Sequence, residues 1–161
     1  MDLALRPYDK AHASDVLGWA RTSEEAEHWA SVPFLRLRSS LLDQWHSEPD
    51  VAPYVGLLAG ALCAYGQLWE DHEQDEAELS RIIVAPRHRG FGVGRRFVSL
   101  LVAEALAGGF STVWVRVVPG DAAAMACYRA ASFVRTTPVQ EDTLNADQDR
   151  VYAWMRYIGD S

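Results

Sequence analysis

Two periods run through the apolar and polar positions of this 161-residue chain. Leu3-Ala4-Leu5-Arg6 reads as a short strand stopped by Pro7. Across residues 9–20, Ala11, Val16, Leu17 and Ala20 fall on one helical stripe. Thr22-Ser23-Glu24-Glu25 opens a second helix, with Ser23 as its cap and acids in its first turn, running to Trp29. Residues 31–37 contain Pro33 and read as a loop, and Ser39 or Ser40 caps a third short helix through Trp45. Residues 51–58 and 61–69 are strands joined by a tight hairpin at Ala59-Gly60. A third run reaches Val84 through the β-branched Ile82 and Ile83, and an amphipathic helix follows to Leu106, stopped by Gly108-Gly109. Residues 112–118 are strongly β-forming, Asp121 caps a helix over 122–131, and residues 133–137 and 151–157 read as the last two strands. The polar residues 138–149 read as a mobile connection. Strands and helices alternate in the middle of the chain, which predicts a mixed sheet with helices packed on it.

Between the third strand and its helix stands Arg89-Gly90-Phe91-Gly92-Val93-Gly94. Glycines at alternate positions let the backbone approach a ligand and take conformations closed to other residues. The helix that starts near Gly94 presents free N–H groups and the positive end of its dipole. Arg87, Arg89, Arg95 and Arg96 add charge at the same place, in a chain whose net charge is −7. This combination reads as a polyphosphate cradle; the plainer alternative is a solvated arginine turn.

A nucleotide-binding P-loop needs Lys and Ser or Thr after the last glycine, and Arg95 stands there. A dinucleotide fingerprint needs a third glycine where Arg95-Arg96 follow. The spacing that fits is R-x-x-G-x-G at Arg89, Gly92 and Gly94. Here the sequence resembles the GNAT superfamily of acyl-CoA-dependent N-acyltransferases, most strongly over residues 77–133. A second segment, DAAAMACYRAASF over 121–133, resembles the family's N-x-x-A-x-x-x-Y-x-x-x-G-F, with Asp121 for asparagine and Ser132 for glycine.

The resemblance implies an α/β (α+β) fold: a mixed, mostly antiparallel sheet of six to seven strands with flanking helices and a splayed central parallel pair. It implies that acetyl-CoA lies in the gap between those strands. Ile82, Ile83 and Val84 would then face the pantetheine arm, a backbone N–H near Ile83 or Val84 would meet the thioester oxygen, and Arg89, Gly90, Phe91, Gly92, Val93, Gly94 and Arg95 would surround the diphosphate. Asp121, in the place of the family's asparagine, would contact the pantetheine arm, but it can accept and not donate when ionised and reads equally as a plain N-cap. Tyr128, two helical turns after Asp121, would supply the proton for the leaving thiolate. Cys127 reads as a packing residue pointing elsewhere on the helix, not a nucleophile.

The attacking amine must be neutral. For a lysine-like amine this costs roughly 4–5 kcal/mol at pH 7, and for an α-amine only about 1 kcal/mol. A base therefore matters most for alkyl amines. Glu78 is the candidate: even spacing puts it on the face of Val84 if no bulge intervenes. Glu76 and His72 are reserves, and a solvent-facing glutamate at a strand entry is the alternative. The stretch 70–78 holds six acids in nine positions, one of which could pair with Arg81.

Composition narrows the picture. The length predicts one domain. Two cysteines, Cys63 and Cys127, and no clustered histidines argue against a disulfide scaffold or a metal site and for a reducing, cytoplasmic location. No apolar run is long enough for a membrane span, and the first residues lack a signal-peptide layout. A pI near 5.1 argues against nucleic acid and is compatible with a cationic substrate. The expected partner is a small-molecule or peptide amine; family dimers make a homodimer an open possibility. Trp19, Trp29 and Trp45 lie on the helical pieces that would shape an acceptor pocket, or are simply core. The competing function is a non-catalytic acyl-CoA sensor.

Overall fold

The computed structural model describes residues 1–159. Seven strands form one sheet: β1 (Leu3–Pro7), β2 (Val51–Leu58), β3 (Ala61–Asp71), β4 (Glu76–Val84), β5 (Thr112–Val117), β6 (Phe133–Arg135) and β7 (Ala153–Tyr157). Their order is β1-β2-β3-β4-β5-β7-β6, and only β4 and β5 run parallel. The helices are α1 (Ala13–Leu17), α2 (Ser23–Ala30), α3 (Ser39–His46), α4 (Val93–Ala107), α5 (Ala122–Ala130) and α6 (Pro138–Asn145). Among the described residues no helix is long and apolar enough to cross a membrane.

The sheet separates two cores. On one face, Phe97, Val98 and Leu101 of α4 are fully buried against β3, β4 and β5. Burying one such side chain stabilises by about 2 kcal/mol. Two glycines make this contact possible. A Cβ at Gly56 would lie 2.9 Å from Phe97, and one at Gly66 would lie 3.0 Å from both Phe97 and Ile82. On the other face, α1, α2 and α3 bury Val16, Trp29, Leu42 and Trp45 against Val55, Tyr65 and Ile83. Trp19, Trp29 and Trp45 are all buried, as the core reading of them expects.

Local chemistry moves several expected boundaries. The first helical region is a 3-10 turn (Lys10–His12) followed by the short α1, which ends before Gly18. Thr22, not Ser23, caps α2, its hydroxyl accepting from Glu25 N at 3.1 Å. Neither serine caps α3; its N-cap position is Arg38. Residues 138–149 are not merely a connection. Thr137 and Gln140 form a reciprocal capping box, and Pro138 takes the first turn of α6.

Candidate active site

β4 and β5 pair only from Glu76–Thr112 to Leu79–Val115. Beyond Leu79 the strands part, and the β4 edge from Ser80 to Val84 has no ladder partner on that side. A register shift against β3 between Tyr65 and Gln67 marks a bulge, and Arg81 within it takes a left-handed φ of 51°. Trp29 Nε1 holds the bulge by donating to the Arg81 carbonyl at 2.7 Å. The bulge changes which side chains share a face. Ala77, Leu79, Ile82 and Val84 belong to the α4 side and Ile83 to the opposite one, so Glu78 and Val84 do not share a face.

The strands open into a cleft of about 860 Å³. At one end lies the glycine turn. Gly90 and Gly92 have φ values of 83° and 81°, which favour glycine, and Gly92 caps α4 with no side-chain bond. The first intrahelical bond is Arg96 N to Gly92 O, at 3.1 Å, so the amides of Val93, Gly94 and Arg95 precede the helical ladder. Gly94 lies against α5 and β4: a Cβ there would sit 3.5 Å from Cys127 Sγ and from Val84.

Arg89 lines this end but is committed to the fold. It donates to Val84 O at 3.0 Å and Trp19 O at 2.9 Å, and pairs with Glu25 of α2. Its guanidinium therefore ties the turn to α2. Burial pushes the Glu25 carboxyl up, but Arg89, the Arg21 amide and Thr22 together outweigh it and hold the carboxyl below its ordinary range.

α5 forms one wall. Ala123, Ala124 and Ala126 line the cleft and keep that wall low. Asp121 is the N-cap, accepting from Ala124 N at 3.1 Å, and its other oxygen lies 3.6 Å from His28 Nδ1. Tyr128 also lines the cleft, with its ring edge-on to Phe133 at 5.8 Å. Burial, helped by the neighbouring Cys127 and Asp121, raises its phenol well above the ordinary value of 10.0, so the hydroxyl keeps its proton. Cys127 lines the cleft as well, which corrects the expectation that it points elsewhere. Burial raises its thiol, Arg95 opposing, so it stays protonated.

Glu78 lies away from this wall. It lines a separate cavity of about 300 Å³, with Arg116 between the two spaces. Arg116 donates to both Glu78 oxygens, and Nη1 reaches Gln148 Oε1 at 2.7 Å. Burial raises the Glu78 carboxyl, with Arg116 pulling against it. Arg81 does not pair with any of the acids in 70–78. Its guanidinium sits 4.1 Å from the Trp45 ring and 5.0 Å from that of Trp69.

Residues 17–133 match the model of the Acetyltransferase (GNAT) family. The chain belongs to that family. It is 28% identical over 116 residues to an IAA acetyltransferase from Azospirillum brasilense, spanning 71% of this chain and 76% of that one. Among solved structures, AAC(6')-Ib in complex with ribostamycin and coenzyme A superposes with a TM-score of 0.77 at 20% identity, over 98% of this chain and 93% of that one. Spermidine N-acetyltransferase from Vibrio cholerae, in complex with CoA and spermine, gives 0.74 at 17%, over 96% and 92%. Likeness at these identities speaks to the fold. The GNAT resemblance is borne out, and with it the mixed, mostly antiparallel sheet, the acetyltransferase reading and acetyl-CoA as donor.

The GNAT cleft fits that donor on its own geometry: an uncapped helix N-terminus, a glycine turn with open space at Gly90, and an alanine wall beside a splayed strand. Ile82, Ile83, Val84, Arg89, Gly90, Gly92, Gly94, Arg95, Asp121 and Tyr128 all border it. Phe91 and Val93 do not. Phe91 stands 74% exposed at the turn, and Val93 is buried in the α4 core. Glu76 and His72 are likewise absent from the cleft lining. Sequence reading missed His28, Trp69, Arg116 and Tyr152, which also line it. No local motif marks them, because His28 lies on α2, Trp69 on β3, Arg116 on β5 and Tyr152 just before β7.

Proposed function

We propose that this GNAT protein transfers the acetyl group of acetyl-CoA to a primary amine of a small molecule or peptide, by direct attack. One observation carries the reading: the free amides of α4, the unpaired edge of β4 and the protonated Tyr128 all border one cleft. Acetyl-CoA brings an activated carbonyl and a thiolate leaving group. Amides at the start of α4, with Arg95, hold the diphosphate. The β4 edge aligns the pantetheine arm and offers a backbone N–H where negative charge builds on oxygen. Tyr128 gives its proton to the departing sulfur. His28, the imidazole of the cleft, takes the proton of the acceptor ammonium, oriented by Asp121. Glu78 serves instead to position Arg116. Free thiols at Cys63 and Cys127 agree with a reducing compartment, and we place the protein in the cytoplasm.

The test is thiol release from acetyl-CoA across an amine panel, together with melting shifts in coenzyme A and in NAD. Release with at least one amine and a shift with coenzyme A alone is the expected result. A Gly92→Val variant should raise the KM for acetyl-CoA about tenfold, since it strains the turn and fills the cradle. A coenzyme A shift with no release from any amine would leave the protein as a sensor.

A further inference from the structure

Arg81 holds a left-handed backbone conformation, φ 51°, that is strained for a non-glycine residue. Such positions persist where the surroundings over-determine them, and they cluster at functional sites. Trp29 grips the Arg81 carbonyl, and the rings of Trp45 and Trp69 lie within 5.0 Å of the guanidinium. Arg81 Nη1 donates to Gln67 Oε1 at 3.2 Å. That oxygen cannot turn away: it also accepts from Trp69 Nε1 at 2.8 Å, while Gln67 Nε2 donates to Tyr65 at 2.7 Å.

The group is aimed and, among the described residues, touches no carboxylate, although Glu48 and Glu78 act on its charge from beyond contact distance. Among the described residues no carboxylate forms an ion pair with Arg81, whereas Glu78 answers Arg116 twice. Arginine carries five N–H donors in a planar fork that matches a carboxylate at two points. Arg81 lines the cleft beside Ser80, Trp69 and Tyr152. A polycation entering there would meet fixed positive charge. Resting on the acetyl-transfer reading, we propose that Arg81 binds a carboxylate of the acceptor, so that the substrate is an amine bearing an acid group, of the amino-acid kind.

The test uses matched acceptors on the full-length protein: phenylalanine, its amide and phenethylamine. The acid should give a kcat/KM about tenfold or more above both others, because a site built for a polar group rejects analogues that lack it. Arg81→Gln should erase that ratio, and Arg81→Lys should retain part of it. A second arm needs no turnover. 3-Phenylpropionate should raise the melting temperature of the wild type and leave Arg81→Gln unmoved. Equal or better use of phenethylamine, an unchanged ratio in folded Arg81→Gln, or no melting shift with phenylpropionate in the wild type would overturn the assignment. Absence of thiol release from every amine would sink acetyl transfer instead, and the phenylpropionate arm would still decide Arg81.

Discussion

Arg116 holds both oxygens of Glu78: Nε reaches Oε2 at 2.7 Å and Nη2 reaches Oε1 at 2.8 Å. The pair is largely withdrawn from water, with side-chain exposures of 21% and 13%. Removing one partner of such a pair leaves the other charge uncompensated. Glu78→Gln should therefore lower stability by about 3 kcal/mol in urea unfolding. Turnover per folded molecule should fall alike for alkyl amines and α-amines. A loss confined to alkyl amines, with stability intact, would return the role of base to Glu78.

Arg89 and Glu25 should behave as one unit. Both are partly exposed, so their direct coupling is worth about 0.5–1 kcal/mol. Arg89→Ala and Glu25→Gln should each raise the KM for acetyl-CoA, and the double variant should do little worse than Arg89→Ala. Additive effects in that cycle would mean that Arg89 meets the diphosphate itself.

Tyr128→Phe should reduce kcat about 100-fold while leaving the KM for acetyl-CoA within a factor of about two. His28→Gln should lower kcat while leaving the KM for acetyl-CoA within a factor of about two. An unchanged kcat in folded His28→Gln would assign the proton to another acceptor.

His46 gives a pH dependence of stability with a defined sign. Its Nε2 lies at hydrogen-bond distance, 2.8 Å, from the Tyr65 hydroxyl, which also accepts from Gln67 Nε2. Burial lowers the His46 pKa below 6.5, Asp43 opposing. The unfolded chain takes up a proton near 6.5 while the folded chain resists it. This contribution is therefore complete above that pH and is lost as pH falls through the interval beneath it. Urea midpoints should drop between about pH 7.5 and 5.5 in the wild type and less in His46→Gln. Parallel drops in both would remove His46 as the cause.

What could be read from sequence was local. R-x-x-G-x-G and the Asp121–Tyr128 spacing each lie within one turn or helix, so their chemistry survives without knowledge of the fold. Arg89 shows the limit: its residue type was legible, but its partner Glu25 is 64 positions away. For Glu78, even spacing failed because one bulged residue shifts all that precedes it. The α6 helix was missed although Thr137-Pro138 and Gln140 spell its start; its polar composition hides the apolar stripe that usually gives a helix away. The sign of charge in the cleft was not legible either. A net charge of −7 describes the whole surface, whereas among the described residues Arg81, Arg89, Arg95 and Arg116 line the cleft against only Glu25 and Asp121.

The extra residue at Arg81 also sets how this strand can change over time. Upstream and downstream halves of β4 are out of phase by one position, and both halves are seated correctly only because of that offset. Losing a single codon there would rotate Ala77 and Leu79 out of their hydrophobic seats while leaving Ile82 and Val84 in place. Substitutions along β4 are thus separately tunable on either side, but its length is not.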